Sequence, residues 1–142
     1  MRKNCLILGA KSDIARAIAH VWAEHGYDLY LAGRKAATEI ALEVSDIGIR
    51  HGVVARAMEF DALAYETHEA FYAALDPKPD VVICVLGFMP AQQACEQDHA
   101  LAGHRRNADD AAGLACLHVI GGCANILSIA ANDMEARKTG SI

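Results

Sequence analysis

The sequence predicts an α/β protein built as a doubly wound parallel sheet in three layers, α/β/α. Three observations predict it. Four short apolar segments, near residues 4–8, 28–32, 52–60 and 80–86, alternate with segments of helical period. The first and fourth are apolar throughout, as suits parallel strands covered on both faces. Glycine and proline punctuate the alternation at Gly9, Gly26, Gly33, Pro77 and Pro79. Right-handed crossovers then place helices on both faces and the first strand near the middle of the sheet.

The first strand spans Asn4 to Leu8, and Gly9-Ala10-Lys11-Ser12 is a turn. A helix follows from Asp13 to His25, with Ile14, Ala17, Ile18, Val21 and Trp22 on its apolar stripe. Ser12 or Asp13 caps its start by satisfying free amides of the first turn, and Gly26 ends it. Asp28 to Ala32 is the second strand, and Ala36 to Asp46 the second helix with Ile40, Ala41 and Val44 inward. Gly52 to Phe60 reads as the third strand and Ala64 to Leu75 as the third helix, broken by Asp76-Pro77-Lys78-Pro79. Asp80 to Leu86 is the fourth and most apolar strand. Residues 87–110 are polar and poorly periodic. Helical period returns from Ala111 to Ala136, and Lys138 to Ile142 turns toward another strand.

The chain has 142 residues, which suits one domain over 1–142. With 54% hydrophobic and 22% charged residues it can bury a sizeable core. Much of the apolar content is alanine, which favours close helix-on-sheet packing. A net charge of −5 argues against a nucleic-acid partner. Arg105 and Arg106 are followed at once by Asp109 and Asp110, a solvated cluster. No segment is long and apolar enough to span a membrane, and Cys5–Leu8 is too short for a signal peptide. The five cysteines include no Cys-x-x-Cys pair and are expected to be free thiols in a reducing cytoplasm. The seven histidines, with His20/His25 and His99/His104 five apart, have no cysteine or acid to complete a ligand set and are expected to be scattered surface or core residues, with no metal site.

The first strand–turn–helix suits a dinucleotide pyrophosphate. Gly9 permits a sharp turn, and the helix start at Ser12–Ile14 offers amides and a positive dipole end. The second strand ends in Gly33-Arg34 with no acid beside it. An arginine there gives a planar donor fork to a ribose 2′-phosphate, which points to NADP, with NAD as the alternative.

These segments resemble the short-chain dehydrogenase/reductase family, a Rossmann-type fold. Cys5 to Ala15 resembles its glycine-rich cofactor motif, and Leu29 to Arg34 its second strand in the NADP-preferring form. Phe60-Asp61-Ala62 resembles the segment that holds adenine. Val82 to Gly87 resembles the fourth strand, and Glu135 to Ile142 the lead into a fifth. The resemblance implies that Gly9, Ala10, Lys11, Ser12, Asp13 and Ile14 cradle the pyrophosphate. It implies that Arg34 meets the 2′-phosphate, Asp61 and Ala62 line the adenine, and Leu86 and Gly87 flank the nicotinamide. It also implies hydride transfer to or from a small carbonyl or alcohol substrate.

The chain departs from the pattern in four respects. Asp13 and Ala15 stand where the motif has its second and third glycines. Val85 stands where an asparagine is usual. Aligning back from Gly122 places Val119 at the family's catalytic asparagine. The family's tyrosine and lysine lie four apart, but four residues beyond Tyr27, Tyr30, Tyr65 and Tyr72 stand Leu31, Arg34, Glu69 and Asp76. No catalytic residue therefore carries over, and the expectation is the cofactor-binding half of an oxidoreductase, ending after about its fifth helix. A non-catalytic dinucleotide sensor and an inactive truncated product stay open. The apolar fourth strand would lack a neighbour, so self-association or a homo-oligomer is expected. Residues 99–110 fit the resemblance poorly, either as a divergent loop or as a compensated reading-frame error.

Overall fold

Asn4–Leu8 (β1) is buried along its whole length, as its unbroken apolar run requires. It pairs in parallel with Asp28–Gly33 (β2) on one side and Val81–Cys84 (β4) on the other. Ala55–Glu59 (β3) joins β2, giving the order β3-β2-β1-β4. The computed structural model describes residues 2–86 and 111–142, with side chains from 118 onward in the second span. Gly87, Cys95 and the 99–110 segment lie outside the described residues.

Side chains of a strand alternate between faces, and the two faces of this sheet carry two cores. Cys5, Ile7, Leu29 and Leu31 pack under helix α1 (Asp13–Glu24) and helix α3 (Ala41–His51). Leu6, Leu8, Tyr30 and Val82 pack under α4 (His68–Ala73) and α5 (Ala111–Arg137). This is the three-layer arrangement that the alternation of strands and helices predicts.

Helix α1 starts where the sequence places it. Ser12, not Asp13, is its cap: Ser12 Oγ accepts from the Ala15 amide at 3.1 Å. Gly26 follows its end with φ +81°. The buried stripe differs from the expected one. Ala15, Ala19 and Ala23 face the sheet, Ile18 and Trp22 flank them, and Ile14, Ala17 and Val21 are exposed. Three alanines at i, i+4 and i+8 let the helix lie close to the strands, so the larger side chains fall to its margins.

The second helix is in fact two. A single turn, Ala36–Glu39 (α2), gives way at Ile40 to α3, which runs five residues past Asp46 and ends at Gly52 in the left-handed conformation. Ile40 is buried against Gly33, which reorients the chain there. Strand β3 accordingly starts at Ala55 rather than Gly52. The third helix begins as a 3-10 turn, Tyr65–Thr67, before α4. Helix α5 matches its expected span to within one residue. Beyond it Ser141 bridges Val81 in parallel: its amide donates to Asp80 and its carbonyl accepts from Val82.

Candidate functional site

A cleft of about 650 Å³ opens at the carboxyl ends of β1, β2 and β4. Small-molecule sites commonly span about 300–1,000 Å³. Its walls are Gly9, Lys11, Ser12 and Ile14 after β1, Gly33 and Arg34 after β2, Phe60 to Leu63 after β3, Val85 and Leu86 after β4, and Val119 of α5. Strand order reverses between β1 and β4, and ligands of open parallel sheets bind at such a switch point. The structure thus brings together eight of the sequence-predicted residues: Gly9, Lys11, Ser12, Ile14, Arg34, Asp61, Ala62 and Leu86. Ala10 is buried in the core instead, and the Asp13 side chain is fully exposed, 3.9 Å from Arg16.

Gly9 has two reasons to be glycine. Its φ is +83°, and a Cβ there would stand 2.6 Å from the Val85 carbonyl oxygen. The Gly9 and Ala10 amides both donate to the Ala32 carbonyl, at 2.9 and 3.1 Å. These two amides brace β1 against β2 and are already engaged. The amides of Ser12, Asp13 and Ile14 meet no acceptor among the described residues. They remain open at the positive end of α1. Ile14 is 67% exposed at that end.

The Arg34–Lys35 turn is shaped by a residue that sequence reasoning missed. Lys35 is left-handed (φ 54°), and Glu59 at the end of β3 accepts from the Lys35 and Ala36 amides, one per oxygen, each at 2.9 Å. This carboxylate caps α2 and fixes the turn that carries Arg34. Arg34 is exposed on the cleft wall and pairs with no carboxylate among the described residues.

Glu39 was missed as well. Its carboxylate lies 2.6 Å from Lys11 Nζ, so an acid stands near the second strand's end although none adjoins it in sequence. The Lys11 hydrogen bond holds the Glu39 carboxyl below the usual range, helped by the charges of Lys35 and Arg34. The cluster is net basic, with Lys11, Arg34 and Lys35 against the carboxylates of Glu39 and Glu59.

The third wall is tied to α5. Asp61 Oδ1 accepts from the Leu63 amide at 2.9 Å, leaving Oδ2 without a partner among the described residues. The Asp61 carbonyl accepts from Nε2 of the fully buried His68 at 3.0 Å. His68 Nδ1 then accepts from Asn125 Nδ2 at 2.8 Å, and Phe60 stacks on the ring. Both imidazole nitrogens are satisfied, so His68 is a structural link rather than a free base. Nothing in the sequence around residue 68 signals this role.

Val119 lines the cleft from α5, with Cys123 one turn further along the helix. Cys123 Sγ lies 3.0 Å from Cys84 Sγ at the end of β4. Burial, with the neighbouring thiol, pushes Cys123 up to about 12, so it is a packed thiol rather than a ready nucleophile. No tyrosine lines the cleft among the described residues. The arrangement can hold an extended anionic ligand; none of its described residues offers a poised proton donor.

No protein-family model and no curated protein matches the sequence. Solved structures do match the fold. An alcohol dehydrogenase from the archaeon Thermococcus sibiricus, complexed with 5-hydroxy-NADP, superposes with a TM-score of 0.76 at 19% identity, over 99% of this chain and 57% of that one. An NAD+-bound xylitol dehydrogenase gives a TM-score of 0.75 at 20% identity, over 97% and 50%. A short chain dehydrogenase from Salmonella enterica serovar Typhi gives 0.66 at 19%, over 91% and 51%. The chain spans about half the length of these proteins. Its fold is the Rossmann-type α/β fold shared by half of a short-chain dehydrogenase.

Proposed function

We propose that this chain is the cofactor-binding half of a short-chain dehydrogenase/reductase-type oxidoreductase that takes NADP(H). The observation that carries the reading is a cleft at the switch point, with helix amides at one wall and an arginine at the next that meet no acceptor or carboxylate among the described residues. Ser12 to Ile14 would bind the pyrophosphate through backbone amides. Lys11 and Arg34 would hold the 2′-phosphate, Asp61 Oδ2 and Ala62 the adenine, and Leu86 the nicotinamide side. Gly9 serves by letting the turn pass close to β4. The bound cofactor would supply the hydride to, or accept it from, a small carbonyl or alcohol.

Val119 is apolar where the family carries its asparagine, and no tyrosine among the described residues lines the cleft in place of the family's proton-transfer residues. The proposal places them in a partnering segment or subunit. Association through β4 belongs to it, because only Ser141 pairs the outer edge of that strand among the described residues. A reducing, cytoplasmic setting is also part of it, in keeping with Cys84 and Cys123 as adjacent free thiols.

Fluorescence titration with NADPH and NADH tests the assignment. NADPH is expected to bind more tightly. Arg34→Ala removes a charge-assisted contact of about 1.5–3 kcal/mol, a loss of roughly ten- to hundred-fold for NADPH with NADH unchanged. Equal affinities for the two cofactors before and after the substitution would sink the 2′-phosphate assignment.

A further inference from the structure

Four titratable side chains with no part in the cleft meet on the outer surface between α1 and α3. His20 comes from α1; Glu43, Asp46 and His51 come from α3. Glu43 and Asp46 are three apart and share one helix face. Ligand atoms of His20, Glu43 and Asp46 all lie within 4.8 Å of one another. The five-residue spacing of His20 and His25 gave no hint of this, because His20's partners sit on a different helix.

The orientation of each group is specific. Glu43 turns Oε2 toward Arg16 Nε at 3.6 Å and Oε1 toward His20 Nε2 at 3.0 Å. Asp46 gives Oδ1 to Arg50 at 3.0 Å and turns Oδ2 toward His20 Nε2 at 3.8 Å. Two carboxylate oxygens therefore face one imidazole nitrogen. That nitrogen carries at most one proton, and it lies within hydrogen-bond reach of Glu43 only. The second oxygen is left without a donor in the cluster. On the far side of the ring, His20 Nδ1 lies 2.9 Å from His51 Nε2. A histidine ligand typically donates its remaining N–H to an outer partner, which fixes its tautomer and orientation. His51 stands where that partner would.

We propose that His20, Glu43 and Asp46 form a surface site for a divalent transition metal of the zinc class, with His51 as the residue that orients His20. Zinc takes imidazole nitrogen and carboxylate oxygen at about 2.0–2.2 Å. Binding replaces the His20–Glu43 hydrogen bond with two metal bonds. It moves the His20 proton from Nε2 to Nδ1, which then donates to His51 Nε2, while the proton on His51 Nε2 passes to His51 Nδ1. Water completes the coordination. The ion would staple α1 to α3 behind the glycine turn, independently of the proposed cofactor.

The test is titration of the untagged full chain with zinc chloride, followed by calorimetry, and with cobalt(II), followed by absorbance. One equivalent is expected to bind in the micromolar range. Its cobalt spectrum is expected to lack the near-ultraviolet thiolate band, which separates this site from the Cys84–Cys123 pair. Glu43→Gln and His20→Gln should each abolish the stoichiometric event. His51→Gln should weaken it roughly ten- to hundred-fold, the usual effect of losing an outer partner. His25→Gln, at an exposed histidine bonded to its own helix at the Val21 carbonyl, should leave it unchanged. Circular dichroism of each variant establishes folding, and Glu43→Gln, which keeps shape and size, carries the test if His20→Gln unfolds. No saturable site at 100 micromolar zinc (roughly the weak limit of a useful binding site), a thiolate band, or binding that survives Glu43→Gln overturns the proposal.

Discussion

Gly9→Ala is expected to destabilise the chain by about 2–5 kcal/mol, adding the strain of a left-handed non-glycine residue to that of an overpacked contact. The methyl group would stand 2.6 Å from a backbone carbonyl at Val85, which has no rotamer to swing away. Relief requires β1 and β4 to part at their carboxyl ends, where the cleft opens, so NADPH affinity should fall with stability. Gly26→Ala is the matched control. Its φ is +81°, but a Cβ there meets nothing within 4 Å. It should cost only the backbone strain, about 1–2 kcal/mol. Urea denaturation of both variants measures the difference. Equal losses would mean that the approach of Gly9 to Val85 contributes nothing.

Gly122→Ala is expected to cost about 3 kcal/mol, at the upper end of the range for overpacking a tight contact. A Cβ on this buried helical residue would land on the Ala62 carbonyl oxygen, again backbone against backbone. Helix α5 would have to retreat from the loop that forms the cleft's third wall. The neighbouring Gly121→Ala is a milder change. Its Cβ would meet the hydroxyl end of the exposed Tyr65 side chain, which can turn outward at the loss of its hydrogen bond to the His118 carbonyl. Alanine's gain in helix propensity, about 1 kcal/mol, offsets much of that. Thermal unfolding should therefore rank Gly122→Ala well below Gly121→Ala. The reverse order would show that α5 does not rest on Ala62.

What the sequence made legible follows the range of the interactions involved. Strand β1 and the start of α1 are local features: an apolar run, a glycine and a serine cap. Their limits emerge as expected. The first strand lies inside the sheet, between β2 and β4, as the doubly wound pattern leads one to expect. The stripe of α1 was misread because size was taken for burial. Packing against a sheet favours Ala15, Ala19 and Ala23, and Ile14 is left to the cleft. The break at Ile40 was hidden because the tertiary contact with Gly33 overrides a continuous helical pattern.

The site divides the same way. Arg34 and Asp61 follow the ends of β2 and β3, so their positions were readable. Glu59, Glu39 and His68 act across long sequence separations: Glu59 on the Lys35 turn, Glu39 on Lys11, and His68 on Asn125. Nothing in a one-dimensional pattern pairs them. Val119 was placed by alignment of the surrounding helix, and it does line the cleft.

The central claim is that an NADP-type dinucleotide lies along the carboxyl ends of β1, β2, β3 and β4. Amide chemical-shift mapping of the isotope-labelled chain on addition of NADPH tests it most directly. The account predicts saturable shifts at Ser12 to Ile14, at Arg34 and Lys35, and at Asp61 to Leu63, with Glu43 and His51 unmoved. Absence of saturable shifts, or shifts confined to residues outside the cleft, would contradict it.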